Sequence, residues 1–328
     1  REAMPDEQHA NWIVNKIKEV ENTKPSKPFF LGVGFVKPHT PLYAPKKYFD
    51  MFPLDGIILP EIKNGDIDDT HYKDVYPPSE MGLSYYNKLM LSFPESEGLK
   101  KFLRAYLACI AFMDDQVGKV LNALENSMFS ENTIVVFTSD HGWQMGQKEY
   151  LYKNSPWEES TKIPMIIKTP QKQLGEVLEP VSLIDIYPTL IDLCKLQKTN
   201  SESNLEIDGN TLYPLLKKPN SKSWAGSEGA LTLLGVGINK PIDGLAINKN
   251  KAAPWHIEII KDLDKSYMKQ QNNNIRTRDF RYILYKDSSE ELYDHRNDPK
   301  EWNNLSSEKN YQKLKEKLRK QLIDKLNA

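Results

Sequence analysis

Six histidines occur in the 328 residues, few enough for each to be weighed by its surroundings. His39, in VKPHTP, and His141, in TSDHGW, each follow a short apolar run, whereas His9, His71, His256 and His295 lie in polar stretches without a partner pattern. Ligands of an open α/β sheet bind beyond the carboxyl ends of its strands, which puts His39 and His141 where chemistry is done. Asp140 precedes His141, so a hard carboxylate oxygen stands beside an imidazole nitrogen, a pair able to hold a divalent cation. Gly142 lets the backbone turn next to it. Lys37 and Lys153 stand in proline-rich or aromatic surroundings, where a desolvated ammonium calls for an anion. Each also has a plainer reading: a histidine bonded to a loop, an aspartate capping a helix, a solvated lysine. Together they describe an α/β hydrolase-like site for an anionic group with one metal ion.

Elements must hold these side chains in place. Trp12, Ile13, Ile17 and Val20 predict a helix over 10–20, and PFFLGVGFV after it predicts a buried strand ending at Lys37. A proline-rich loop then runs from Lys37 to Pro60. Phe102, Tyr106, Ile110, Met113, Val117 and Leu121 share one face of a long amphipathic helix over 99–124. TIVVFT predicts a strand leading into SDHGW, 163–168 a second strand, and SLIDIYPTLIDLC a helix. This alternation predicts an α/β fold, a mainly parallel or mixed sheet sandwiched by helices. Lys, Pro, Asn and Ser crowd 217–227, which predicts a large domain over 1–223 and a small α+β domain over 224–328. In the latter, ALTLLGVGI, IRTRDFRYILYKD and EELYDHRNDPKEW predict antiparallel strands, and Leu314, Leu318, Leu322 and Leu326 form one row of a helix over 308–326.

Composition narrows the rest. With 44 Lys+Arg against 45 Asp+Glu the net charge is −1, giving no electrostatic reason to seek nucleic acid. No apolar run approaches the about 20 residues of a membrane span. The two cysteines, Cys109 and Cys194, make no disulfide framework.

The strings FFLGVGFVKPHTPLYAPKKYFDMF and TSDHGWQMGQKEYLYKNSPWEESTKIPMII resemble segments of type I sulfatases, in the alkaline-phosphatase-like superfamily. The DHG form with KNSPWEEST is most similar to the iduronate-2-sulfatase branch, and SLIDIYPTL, DGNTLYPLL and EELYDHRNDPKEWNNL match later landmarks in order. The resemblance implies a sulfuric-ester hydrolase acting on a sulfated carbohydrate. It implies one Ca2+ held by Asp140 and by or beside His141, and sulfate contacts from Lys37, His39 and Lys153. His39 or His141 would be the general acid. A guanidinium suits a uronate carboxylate or a second sulfate, so Arg276 is expected to face the cleft, the alternative being a pair with an acid such as Asp279.

The family's nucleophile is a formylglycine made from a CxPSR-like motif, whereas Cys109 lies in ACIAF and Cys194 in LCKLQ. The expectation is that the nucleophile and further metal-binding aspartates precede Arg1, and that these residues alone are inactive. Family context implies export to a periplasm or the extracellular space, although no signal peptide pattern is seen from Arg1 onward. Two rival readings are a phosphoester hydrolase or transferase of the same superfamily and a non-catalytic sulfoglycan-binding pseudoenzyme.

Overall fold

The computed structural model describes all residues except 24–26, 72–80, 95, 172–173, 197–206, 227–228, 235–270 and 328. His256 and the second half of the predicted strand ALTLLGVGI lie outside the described residues.

Helix α1 (Pro5–Thr23) buries Asp6, Ala10, Ile13 and Ile17, spaced by about one turn so that they share a face. That face packs along the long helix. Short α2 (Lys46–Asp50) and α3 (Met81–Ser92) flank α4 (Glu97–Glu125), whose 29 residues contain no proline. Tyr48 of α2 sets its ring edge-on to Phe112 of α4 at 5.4 Å, beside Ala108.

After α4 come β1 (Val135–Thr138), β2 (Gln144–Met145) and β3 (Leu151–Tyr152). The one-turn α5 (Glu158–Thr161), then β4 (Met165–Lys168), α6 (Ile186–Cys194) and α7 (Tyr213–Lys217) follow. β1 pairs with β4 antiparallel, with Thr138 opposite Met165, and β2 with β3 in a minimal hairpin. All strand pairs among the described residues are antiparallel, so the parallel component expected of the large sheet is not among them. The apolar run 29–36 also departs from its prediction. It is no strand, and Phe30 is 83% exposed. A β conformation needs a ladder partner for its backbone groups, and no described strand supplies one.

The small sheet runs β5 (Ala230–Leu234), β6 (Asn272–Arg276), β7 (Phe280–Leu284) and β8 (Glu290–Asp294) in that spatial order, antiparallel throughout. Alternation along β7 sends Tyr282 and Leu284 toward α8 (Gln312–Asn327), where Leu318, Leu322 and Leu326 meet them. Ile283 faces the other way, into a core with Tyr293, Tyr150, Trp157, Ile67 and Leu83. The sheet is therefore a middle layer between its own helix and the larger part of the chain.

Polar groups cross that second interface. Arg281, buried, donates to carboxylates of both Glu158 and Glu301, to Asn274 Oδ1 at 2.8 Å and to the Pro156 carbonyl at 3.2 Å. Glu291, fully buried on β8, accepts from the His71 amide, Trp157 Nε1, Tyr285 and Tyr293. The Lys148 ammonium is buried 2.9 Å from Asp66 Oδ1 and also donates to the Glu301 carbonyl. A buried ion is tolerated when paired and hydrogen-bonded, as Arg281 and Lys148 are, whereas Glu291 is held by four neutral donors and burial pushes its carboxyl up.

Candidate active site

The turn carrying Asp140 and His141 leaves β1 and docks on α5. Gly142 N–H donates to the Ser160 carbonyl at 2.8 Å and Trp143 N–H to that of Glu159 at 2.6 Å. A Cβ on Gly142 would lie 2.1 Å from the Glu159 carbonyl oxygen, so glycine is required here by close backbone approach. No helix follows Asp140, which removes the helix-capping alternative.

Asp140 is 82% exposed, and its Oδ1 accepts the His141 amide at 3.0 Å. His141 Nδ1 lies 2.8 Å from the Gly142 carbonyl, which can only accept, so Nδ1 carries the proton and Nε2 holds the lone pair when the ring is neutral. Nε2 is 3.5 Å from Asp140 Oδ2. A free carboxylate oxygen and an imidazole lone pair converge. The carboxylate fits a hard cation such as Ca2+, and the imidazole lies beside it.

Lys153 is half-buried and forms no hydrogen bond or ion pair with any described residue. It lines, with Asp140, His141 and Arg276, one cleft of about 1010 Å³. Arg276 spends its donors elsewhere: Nε on Glu158 at 3.0 Å, Nη2 on His295 Nδ1 at 2.9 Å, Nη1 on the carbonyls of Thr277 and Arg278. Its acidic partner is Glu158 of α5 and not Asp279. Exposed Arg278 pairs with Glu179 at 3.3 Å.

Lys37 and His39 are not among the residues lining this cleft. The Lys37 ammonium turns back on its own loop, donating to the carbonyls of Pro41 at 2.7 Å and His39 at 3.3 Å over the Tyr43 ring. His39 is exposed, with Nδ1 2.6 Å from the Thr40 carbonyl and Nε2 bonded to no described residue. Since 29–36 joins no described ladder, no sheet carries the end of that segment to the end of β1.

Sequence reasoning missed the residues that support these. Asp6, 1% exposed, accepts the amides of Val36 and Lys37 at 2.8 and 2.9 Å and so fixes the Lys37 turn. His295, set aside as partnerless, donates from Nε2 to Glu301 at 2.8 Å while Arg276 holds its other nitrogen. Among the described residues, Glu158, His295 and Glu301 bring ligand atoms within 4.8 Å of one another. The guanidinium groups of Arg276 and Arg281 already supply the positive charge there, which makes this an ion-pair network and not a metal centre. Burial would push Glu301 up, but the charge of Arg281 and the hydrogen bond of His295 pull it down to about 2.

The chain has the alkaline-phosphatase-like fold. A phosphonate monoester hydrolase of Agrobacterium radiobacter superposes with a TM-score of 0.71 over 98% of this chain and 61% of its own, at 24% identity. A protein solved in complex with its substrate D-glucosamine-2-N,6-O-disulfate superposes with a TM-score of 0.63 over 97% of this chain and 69% of its own, at 20% identity. By sequence, the family model described as Sulfatase matches residues 4–196, and the one described as N-sulphoglucosamine sulphohydrolase, C-terminal, matches 243–328. The chain belongs to the sulfatase family. A sulfatase of Formosa agariphila is 34% identical over 332 residues, covering 99% of this chain and 54% of that protein. Iduronate 2-sulfatase of Homo sapiens is 28% identical over 229 residues, 59% of this chain and 40% of its own. The chain spans about half the length of the curated relatives it matches.

Proposed function

We propose that this chain contributes the metal-side carboxylate and the sulfate-binding lysine of a sulfatase that hydrolyses a sulfuric ester on a sulfated glycan. The observation that carries the reading is the meeting in one cleft of Asp140, His141 and the Lys153 ammonium, which pairs with no described residue. Relatives named iduronate 2-sulfatase and N-acetylglucosamine-6-O-sulfatase support a sulfated sugar as substrate.

Asp140 would hold the calcium ion, with His141 beside it, and the ion would supply positive charge to the sulfate oxygens. Lys153 places a point charge against the same group and Arg276 lines the same cleft, whereas sulfate contact by Lys37 and His39 rests on the family resemblance alone, since neither lines it. Hydrolysis in net terms forms a new bond from sulfur to the oxygen of water as the bond between sulfur and the bridging oxygen breaks, and negative charge develops on that bridging oxygen in the transition state. The proton that oxygen needs comes from an imidazolium, His39 or His141. Each has Nδ1 bonded to a carbonyl, which leaves Nε2 as the nitrogen to face the leaving oxygen, and that of His141 stands 3.5 Å from Asp140 Oδ2.

Neither cysteine fits as the source of a formylglycine. Cys109 is buried, which pushes its thiol up to about 11, and neither it nor Cys194 stands in a CxPSR-like motif. The division into 1–223 and 224–328 and export from the cytoplasm belong to the same proposal. No helix among the described residues is long and apolar enough to cross a membrane.

The test uses the protein expressed from its whole reading frame, offered an aryl sulfate, a sulfated oligosaccharide and an aryl phosphonate monoester. Sulfate esters should be turned over best, and Lys153→Ala should lower kcat/KM about a hundredfold, the usual worth of a cation at developing charge. Asp140→Asn should weaken the rise in Tm produced by added Ca2+. Phosphonate hydrolysis exceeding sulfate hydrolysis would favour a phosphoester enzyme of the same fold, and glycan binding without turnover a pseudoenzyme.

A further inference from the structure

Tyr152, immediately before Lys153, has φ 75°, in the left-handed region that a bulky aromatic residue seldom enters. Such a conformation persists only where the surroundings over-determine it. Here three rings do so, all edge-on to that of Tyr152: Trp143 at 5.2 Å, Tyr85 at 5.4 Å and Phe102 at 6.0 Å. The backbone adds a constraint, because Tyr152 pairs with Gln144 in the β2–β3 hairpin.

On the other side of Lys153 a second tyrosine closes the loop. Tyr150 is fully buried, and its hydroxyl donates to the Asn154 carbonyl at 3.0 Å. Its ring packs against α3 where residue 82 is glycine, and a Cβ there would come within 2.0 Å of the ring. Between these anchors, Lys153 is half-buried and forms no hydrogen bond or ion pair with any described residue. A lysine side chain is flexible, and with no protein partner its direction depends on where its Cα–Cβ bond points.

We propose that Tyr152 and Tyr150 are positioning residues for Lys153. Tyr152 turns the backbone through a left-handed step that aims the lysine at the cleft, and the Tyr150 hydroxyl holds the carbonyl of the next residue. The inference rests on the proposed role of Lys153 in binding the sulfuric ester, and it deepens that role.

A double-mutant cycle on the full-length protein tests it. Tyr150→Phe deletes a single hydroxyl, and Tyr152→Val places a β-branched residue where left-handed φ is unfavourable. With Lys153 present, Tyr150→Phe should lower kcat/KM for an aryl sulfate about fivefold and Tyr152→Val about thirtyfold, within the range of coupling for residues acting through one another. In the Lys153→Ala background each should cost less than about twofold. Tyr152→Phe, which keeps the ring, should restore activity to within about twofold of the parent.

Losses of equal size in both backgrounds would overturn the inference and leave the tyrosines as packing residues, with the role of Lys153 intact. A Lys153→Ala enzyme with parental kcat/KM would overturn the sulfate-binding role and this inference with it. Near-ultraviolet circular dichroism reports folding. If Tyr152→Val fails to fold, Tyr150→Phe decides alone.

Discussion

Trp157 Nε1 donates to Glu291 Oε2 at 2.9 Å, joining the loop that follows Lys153 to strand β8 of the small sheet. Both side chains are buried, so the indole contributes packing area and a donor to a carboxylate that has no water to turn to.

Trp157→Phe keeps most of the apolar volume and removes that donor. The expected loss is about 1–3 kcal/mol of unfolding free energy, the cost of a buried charged acceptor short of a partner. Urea denaturation measures it, and a loss below about 0.5 kcal/mol would show that the remaining donors suffice.

Arg281→Met leaves Glu158 and Glu301 facing each other without the guanidinium between them. Removing one partner of a buried ion pair costs about 3–5 kcal/mol, so this should be among the most damaging single changes in the small sheet. Replacing Arg281 together with both glutamates by apolar residues should recover much of that loss, because no charge then stays buried alone.

Acid should weaken the same contact. Glu301 is held down to about 2 by Arg281 and His295 against the upward push of burial, while its ordinary value is 4.5. A depressed carboxylate stabilises the native state above its unfolded value and ceases to do so as pH falls through its folded value. Unfolding free energy should therefore decline between pH 4.5 and about 2, and Glu301→Gln should flatten that part of the profile. A profile of unchanged slope in the variant would assign acid sensitivity to other groups, such as Asp294, also held at about 2 by its hydrogen bond with Arg296.

Gly142→Ala should displace the turn that carries Asp140 and His141, since the added methyl meets the Glu159 carbonyl oxygen at 2.1 Å. The expected signature is a weaker effect of Ca2+ on Tm together with a fall in stability of about 1–3 kcal/mol from overpacking. Parental values of both would show that α5 can move aside.

The long helix, the terminal helix and its leucine row were legible because each carries a sustained helical period, and the strands around Tyr282 and Tyr293 because aromatic and branched residues are bounded by turn residues. The association of Asp140, His141 and Lys153 was legible through spaced motifs. Strand direction was not. Four apolar residues at 135–138 say nothing about whether the neighbour runs parallel, and the structure pairs them antiparallel with 165–168. Asn272, Asn273 and Asn274 are polar residues, yet they are fully buried in β6, where Arg281 donates to the side-chain Oδ1 of Asn274. His295 read as solitary for the same reason: Glu301, Arg276 and Glu158 are its surroundings only after folding.

Placement of β7 has a consequence for the order in which the small sheet opens. It has ladder partners on both edges, α8 over one face and the Trp157 core over the other. Its amide protons can reach solvent only after β6 or β8 has separated and one of the covering layers has lifted. Hydrogen exchange should therefore be slowest at Tyr282 and Ile283 and faster along β8, whose outer edge has no neighbouring strand among the described residues. The strand that carries Arg281 would be the last part of this sheet to let water in.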